Sequence, residues 1–370
     1  MTDPRLTPLA ASLPDTVPFV GPETQERAMG RPFAARLGAN ENVFGPSPKA
    51  IEAMRAAAAE AWMYGDPEAH ELRHAIAAHH GVGPEHIRVG EGIDGLLGLL
   101  ARLTIGPGDW AVTSEGGYPT FDFHVTGFGG RIERIPYDGD RVDAKGLIER
   151  AEFAGAKLVY IANPDNPMGG HHGADTILEM IDTLPEGALL VLDEAYVEFA
   201  PEGTAPEIDP TDERVIRFRT FSKAHGLAGA RIGYAIGPAP LIAAFDRVRN
   251  HFGLTRMAQA GALAALQDQD WLAQVQAHVT DACARIAAIA HDNGLVPLPS
   301  ATNFVAIDCG ADGAFAKRVL DGLVKRGVFV RMPGVAPLNR CIRVSAGTEA
   351  DLDAFAQALP EALEEARAAD

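Results

Sequence analysis

A lysine, two hydroxyl residues, an arginine and three glycines fall together in Thr220-Phe221-Ser222-Lys223-Ala224-His225-Gly226-Leu227-Ala228-Gly229-Ala230-Arg231-Ile232-Gly233-Tyr234. A β-type run, residues 214–219, leads into this stretch, and an apolar run, residues 232–236, leads out. Glycine lets a backbone approach a ligand closely and adopt positive φ. Hydroxyls and a guanidinium bind phosphate oxygens. A lysine held between apolar segments can lose its proton and act as an amine nucleophile. The stretch therefore asks for a ligand that carries both a phosphate and a carbonyl.

Pyridoxal 5′-phosphate (PLP) is such a ligand. Ser222-Lys223 followed by Gly226-Leu227-Ala228-Gly229-Ala230-Arg231-Ile232-Gly233-Tyr234 resembles the lysine motif of fold-type I PLP-dependent aminotransferases, and is most similar to the histidinol-phosphate aminotransferase branch. The resemblance implies that Lys223 joins the cofactor's aldehyde and that Thr220, Ser222 and Arg231 hold its phosphate. It also implies an α/β fold: a large domain whose mostly parallel seven-stranded sheet is sandwiched by helices, plus a smaller α/β C-terminal domain.

A second chemical feature lies at the end of a continuous apolar run, residues 188–192, which has the character of a parallel strand buried on both faces. Asp193-Glu194-Ala195-Tyr196 follows it. An ionised carboxylate there needs a cation, because a buried charge without a partner is costly. The protonated pyridine nitrogen of the cofactor is one, and that pairing keeps the ring an electron sink. By resemblance, Tyr196 donates to the cofactor's phenolic oxygen.

Another strand-like run, residues 157–162, ends in Asn163-Pro164-Asp165-Asn166-Pro167-Met168-Gly169. This resembles the family's Asn-Pro-Asn-Asn-Pro-Thr-Gly. Asn166 then matches the asparagine that bonds the phenolic oxygen, while Asp165 and Met168 depart from the usual residues.

Earlier in the chain, a short strand at 87–89 runs into Gly90-Glu91-Gly92-Ile93-Asp94-Gly95 and an apolar helix. The glycines spell a dinucleotide fingerprint, and Glu115 lies about twenty residues on, where that fingerprint places its acidic residue. An NAD(P)-dependent oxidoreductase is therefore a competing reading, although it leaves Lys223, Asp193 and Asn166 unexplained. Amide groups at a helix N-terminus bind phosphate in either case. In the fold-type I resemblance, the amides of Gly92, Ile93 and Asp94 cradle the PLP phosphate. Downstream, Tyr118-Pro119-Thr120-Phe121 follows the strand at 110–113, and Phe121 aligns with the family's ring that stacks on the pyridine.

The substrate side is implied by the same resemblance. Asn40, in Asn40-Glu41-Asn42, lines it. Arg343, in Ile342-Arg343-Val344-Ser345, faces the substrate's anionic group, and Arg331 is a second substrate-side arginine. Tyr64 reaches across a homodimer interface to the partner's cofactor phosphate. Pro18-Phe19 stands where the branch often has Pro-Tyr.

The elements that must position these residues alternate, strand with helix, from 87 to 236, and each motif sits at a strand's C-terminal end, where open α/β sheets bind ligands. Residues 1–36 read as an arm, 37–270 as the large PLP-binding domain and 271–370 as the small domain. Ser47 and Pro48 start a helix. Long helical stretches cover 240–248, 257–266 and 271–293, and a last helix runs from Glu349 to Leu359, where Pro360 stops or kinks it.

With 32 basic and 50 acidic residues in 370 the net charge is −18, which argues against nucleic acid or an anionic membrane as partner. Substrate anions must be caught by local arginines. Cys283, Cys309 and Cys341 have no zinc or redox spacing, so no metal is expected and the compartment reads as reduced and cytoplasmic. No signal peptide or membrane span is evident.

The expected activity is ping-pong transfer of an amino group from histidinol phosphate or an aromatic amino acid to a 2-oxo acid such as 2-oxoglutarate, a step of amino-acid and specifically histidine biosynthesis. A decarboxylase of the threonine-phosphate type, on the same scaffold, is the alternative within the cofactor class.

Overall fold

The computed structural model describes residues 5–15 and 20–369. Strands in chain order are β1 (Ala35–Arg36), β2 (Ile87–Gly90), β3 (Trp110–Ser114), β4 (Arg131–Ile135), β5 (Leu158–Ala162), β6 (Leu189–Asp193), β7 (Val215–Thr220), β8 (Gly233–Ile236), β9 (Val296–Pro297), β10 (Phe304–Asp308), β11 (Val328–Phe329) and β12 (Cys341–Ser345). A seven-stranded sheet has the order β2-β8-β7-β6-β5-β3-β4. All its neighbours are parallel except those of β8, which runs against both β2 and β7. This is the mostly parallel α/β sheet of the fold-type I class.

Burial explains why the central strands are legible in sequence. Leu190, Val191 and Leu192 of β6 are wholly inaccessible, and β5 is buried at every position. Helices cover both faces: Leu96, Leu100, Phe121 and Phe245 pack on one side, Leu147, Ile148, Ile177 and Met180 on the other. Each such side chain contributes about 1.5–3 kcal/mol through removal from water.

Register puts the chemistry along one edge. Ala162 of β5 pairs with Asp193 of β6, and Asp193 with Phe218 of β7. Because β8 is reversed, its first residue, Gly233, lies between Gly90 and Thr220 on that same edge. A Cβ on Gly233 would come within 2.8 Å of the Arg219 carbonyl and 3.2 Å of the Ile93 nitrogen. Glycine there is what lets the helix Gly92–Thr104 start against the end of β7.

A second, antiparallel sheet, β12-β10-β9, packs with the helices Gln269–Asp292, Gly313–Lys325 and Glu349–Ala368 around its own core of Val275, Ile286, Val305, Phe315, Ile342 and Phe355. The chain's early segment belongs to this core: β1 pairs parallel with β11, Leu37 N–H donates to the Phe329 carbonyl, and Ser345 N–H to the Leu37 carbonyl.

Two expectations need correction. Pro360 does not end the last helix, which continues to Ala368. The apolar face that continues past it, Leu363 and Ala366 after Phe355 and Leu359, is buried, and that packing outweighs one missing hydrogen bond. The expected helix at 240–248 is shorter, Ala239–Ala244, and tightens into a 3₁₀ turn at Phe245–Arg247. Ser47 caps the helix Pro48–Ala58 as expected, its Oγ accepting from Lys49 N–H at 3.1 Å.

Candidate active site

A cavity of about 670 Å³ opens at the C-terminal edge of the large sheet, bounded on its other side by residues of the second sheet. Lys223, Asp193, Tyr196, Asn166, Thr220, Ser222, Arg231, Ile93, Asp94, Asn40, Arg331 and Arg343 all line it. Gly92 lies just behind, at the first position of its helix with φ +76°, a conformation L side chains rarely adopt. A Cβ there would stand 2.7 Å from Arg231 Nη2. The backbone turn and the guanidinium thus close on one another with room for nothing larger than hydrogen.

Around that turn the polar groups form a cationic cradle. Arg231 Nη1 donates to Ser222 Oγ at 3.4 Å, and its Nη2 lies 3.8 Å from Asp94 Oδ2. Thr220 Oγ1 accepts from the Ser222 N–H at 3.0 Å, which fixes the hydroxyl at the mouth of the lysine loop. Lys223 Nζ donates to the Asn40 carbonyl at 3.1 Å and lies 5.6 Å from the centre of the Tyr196 ring.

Asp193 sits at the cavity floor. Its Oδ2 accepts from Tyr160 Oη–H at 2.7 Å and its Oδ1 from Ala195 N–H at 3.0 Å. Burial pushes its carboxyl up to about 6, while the Tyr160 and Ala195 donors pull the other way. Among the described residues no cation pairs with it. Glu194, equally buried, is held by Arg217 and Arg219 at 2.8 and 2.9 Å. Two adjacent acids therefore differ in kind: one has its counter-charges built in, and the other presents an uncompensated carboxylate to the cavity.

Tyr196 Oη accepts from Asn40 Nδ2 at 2.9 Å and from Asn166 Nδ2 at 3.4 Å. With both lone pairs engaged, the phenol's own proton is left to donate into the cavity. The orientation of the Asn166 amide follows from chemistry. Its Oδ1 takes Arg343 Nη1, an obligate donor, so its NH₂ must face Tyr196. Ser345 Oγ in turn donates to Asn40 Oδ1 at 3.0 Å.

On the opposite wall, Arg343 and Arg331 meet through an antiparallel bridge. Arg343 also donates to the Gly38 carbonyl at 3.2 Å and lies 5.1 Å from the Phe304 ring centre, yet its buried Nε has no partner. Burial holds the guanidinium's affinity for its proton below normal. Arg331 Nη2 donates to the Val20 carbonyl at 2.7 Å.

One expected position lies elsewhere. Phe121 is buried in the core, stacked on Tyr160 with ring centres 4.7 Å apart, and does not line the cavity. The aromatic that lines it is Tyr118, whose Oη donates to Asp94 Oδ1 at 2.8 Å. Phe121 and Val125, four apart on the helix Pro119–Gly127, are both buried, so the helix turns Phe121 inward. Tyr118 precedes that helix and is free of its periodicity. Tyr64, expected at a partner's phosphate site, is on the surface: it is 76% exposed and tilted against Phe252, with ring centres 4.7 Å apart. Pro18-Phe19 falls outside the described residues. Sequence reading missed Tyr160, Asn303 and Ser345. Asn303 Nδ2 donates to the Asn40 carbonyl at 3.1 Å. Their signal, a polar residue within or at the end of a buried strand, is visible only once the strands are paired.

The residues present fit PLP. The Gly92–Arg231 cradle suits a phosphate, Lys223 an aldehyde, and the uncompensated Asp193 carboxylate a pyridinium nitrogen. Comparison with known proteins agrees. Residues 35–359 match the model of the aminotransferase class I and II family. Histidinol-phosphate aminotransferase 1 of Mesorhizobium japonicum is 37% identical over 337 residues, 89% of this chain and 90% of that protein. Histidinol-phosphate aminotransferase 2 of Carboxydothermus hydrogenoformans is 34% identical over 354 residues, 94% of this chain and 96% of that protein. The crystal structure of histidinol-phosphate aminotransferase from Sinorhizobium meliloti in complex with pyridoxal-5′-phosphate superposes with a TM-score of 0.95 at 52% identity, covering 98% of each chain. The chain belongs to the class I and II aminotransferases: it is a fold-type I enzyme that uses PLP, and the dinucleotide reading of Gly90–Gly95 falls.

Proposed function

We propose that this PLP-dependent aminotransferase takes histidinol phosphate as amino donor and a 2-oxo acid such as 2-oxoglutarate as acceptor. The observation that carries the reading is the wall opposite Lys223, where two arginines share one bridge and the buried Arg343 Nε is unpartnered. A group with several acceptor oxygens suits that wall, and both a phosphate ester and a carboxylate supply one. The names of the relatives point the same way.

When bound, PLP supplies an aldehyde that receives the amino group and a ring that draws off the electrons left when the substrate's α-hydrogen departs as a proton. The chain does the rest. Thr220, Ser222, Arg231 and the amides of Gly92, Ile93 and Asp94 hold the phosphate. Asp193 would pair with the ring nitrogen and favour its protonated form, with Tyr160 and Ala195 fixing the carboxylate's direction. Tyr196, fed by two amides, and Asn166 address the phenolic oxygen. Lys223 Nζ, as a free amine, would take the α-proton as general base. Arg343 and Arg331 hold the substrate anion, with Asn40 beside them, so the α-carbon faces the lysine. Tyr118, which lines the cavity, would cover the ring and exclude water.

The active form is a homodimer in this reading, with Tyr64 reaching the partner's phosphate site. Trp62, Tyr64 and Phe252, exposed by 82%, 76% and 53%, give the chain an aromatic surface suited to a second copy. The division at 1–36, 37–270 and 271–370, and a cytoplasmic setting, belong to the same proposal. Among the described residues no helix is long and apolar enough to cross a membrane.

A half-reaction screen tests the donor. Holoenzyme is mixed without acceptor with histidinol phosphate, aromatic amino acids, glutamate and phosphothreonine, and the cofactor's absorbance is followed. Histidinol phosphate and glutamate should each convert it. Conversion by aromatic amino acids alone would reassign the donor, and release of carbon dioxide from phosphothreonine would reassign the reaction.

A further inference from the structure

Asn303 is wholly buried just before β10 and does not line the cavity. Its Nδ2 donates to the Asn40 carbonyl at 3.1 Å and, more weakly, to the Glu41 carbonyl at 3.4 Å. Both partners only accept, so the amide's NH₂ must face them and its Oδ1 must point away. That oxygen is buried with no hydrogen-bond partner among the described residues. A buried acceptor left without a donor costs stability. An apolar side chain of the same shape would carry no such cost, so what asparagine adds at this position is its pair of N–H donors.

Those donors meet an atom that is already in use. The Asn40 carbonyl also accepts from Lys223 Nζ at 3.1 Å, so one oxygen sits between the buried amide and the reactive amine. Its direction depends on an uncommon backbone, because Asn40 has φ +53°. Two contacts with Ser345 hold that conformation: Asn40 N–H donates to Ser345 Oγ at 3.0 Å, and Ser345 Oγ donates to Asn40 Oδ1 at 3.0 Å. Asn303 fixes the carbonyl itself.

We propose that Asn303 is a positioning residue for the free amine of Lys223: it holds the Asn40 carbonyl where that amine rests whenever it is not joined to the cofactor. A free lysine amine has several hydrogens to donate and can turn them toward an acceptor. On joining an aldehyde it gives up two of them, which leave with the aldehyde oxygen as water, and the new double bond sets the direction of what remains. The carbonyl therefore serves the free amine more than the joined one. That matters once the cofactor carries the amino group. Two amines then compete for one place, and the lysine must stand aside yet stay within reach of the substrate carbon. The inference holds for any amino donor.

Calorimetric binding of pyridoxamine 5′-phosphate, the aminated cofactor, to the full-length apoprotein tests this in a double-mutant cycle of Asn303→Ala and Lys223→Ala. With Lys223 present, Asn303→Ala should weaken that binding about three- to tenfold, the range expected for one hydrogen bond. In the Lys223→Ala background no amine needs to be held, and the same substitution should change binding by less than about twofold. PLP, which engages the amine, should lose less in Asn303→Ala than pyridoxamine 5′-phosphate does. Asn303→Leu keeps the shape while removing both the donors and the unpartnered oxygen. It should melt close to wild type and give the same cycle, so the test still reports if the truncated variant folds poorly. An equal loss with and without Lys223, an equal loss for the two forms of the cofactor, or no loss at all would overturn the proposal and leave Asn303 a structural tie between the second sheet and residues 40–41.

Discussion

The floor and the far wall of the cavity hold charges of opposite sign, the buried Asp193 and the half-buried Arg343, and they are built differently. Asp193 ends a strand at the centre of the large sheet and is aimed by a tyrosine and a backbone amide. Its environment follows from register, and its missing cation is a fixed feature of the cofactor. Arg343 lies on a short antiparallel strand of the second sheet and is aimed by groups from several elements: the Asn166 side chain, the Gly38 carbonyl and the Phe304 ring. On the proposed function, its missing anion changes between the two halves of the reaction, and the floor is thus a single-ligand site and the wall a two-ligand site.

The contrast can be broken by substitution. Lys223→Ala removes the general base from the floor and should lower kcat by about 10⁴-fold or more while PLP still binds; near-normal turnover would remove its assigned role. On the wall, Arg343→Ala should weaken anionic substrates by about 1–3 kcal/mol, read as KM with little effect on PLP affinity. Equal losses for PLP and substrate would mean that wall and floor are one site.

A third measurement sharpens the floor's side. In the cofactor-free protein Asp193 has its carboxyl raised to about 6, above an unfolded carboxylate. The folded state then holds the proton more tightly, so stability falls as pH rises from the ordinary carboxylate range through about 6. Asp193→Asn should flatten that fall by on the order of 1–2 kcal/mol, seen as a higher melting temperature of the apoprotein above pH 6. The smallest effect is expected away from both walls. Phe121→Leu should cost about 1 kcal/mol or somewhat more in stability and leave the cofactor spectrum unchanged, whereas Tyr118→Ala should perturb the spectrum.

How far the sequence could be read follows the same division. Asp193 ends an apolar run with the character of a buried parallel strand, and Lys223 and Asn166 follow strand-like runs within a few residues, so strand and chemistry were legible together. Phe121 was misplaced because two aromatics three residues apart offered no choice until the inward-facing pair with Val125 was considered. The edge strand β4, Arg-Ile-Glu-Arg-Ile, has too many charges to look like a strand, and only its parallel pairing with β3 makes it one. The clasp of Asn40, Ser345, Tyr196 and Asn166 joins positions up to 305 apart, and no local pattern encodes such a join.

The segment after β1 ties these regions together. Leu37 is bonded to Phe329 and Ser345 in the second sheet, and three residues later Asn40 grips both Tyr196 and the lysine amine. A strap anchored at one end and holding the reactive groups at the other transmits any tilt of its anchor. Seating an anion on the arginines would pull on the same cord that steadies the amine, so loading and arming become one mechanical stroke.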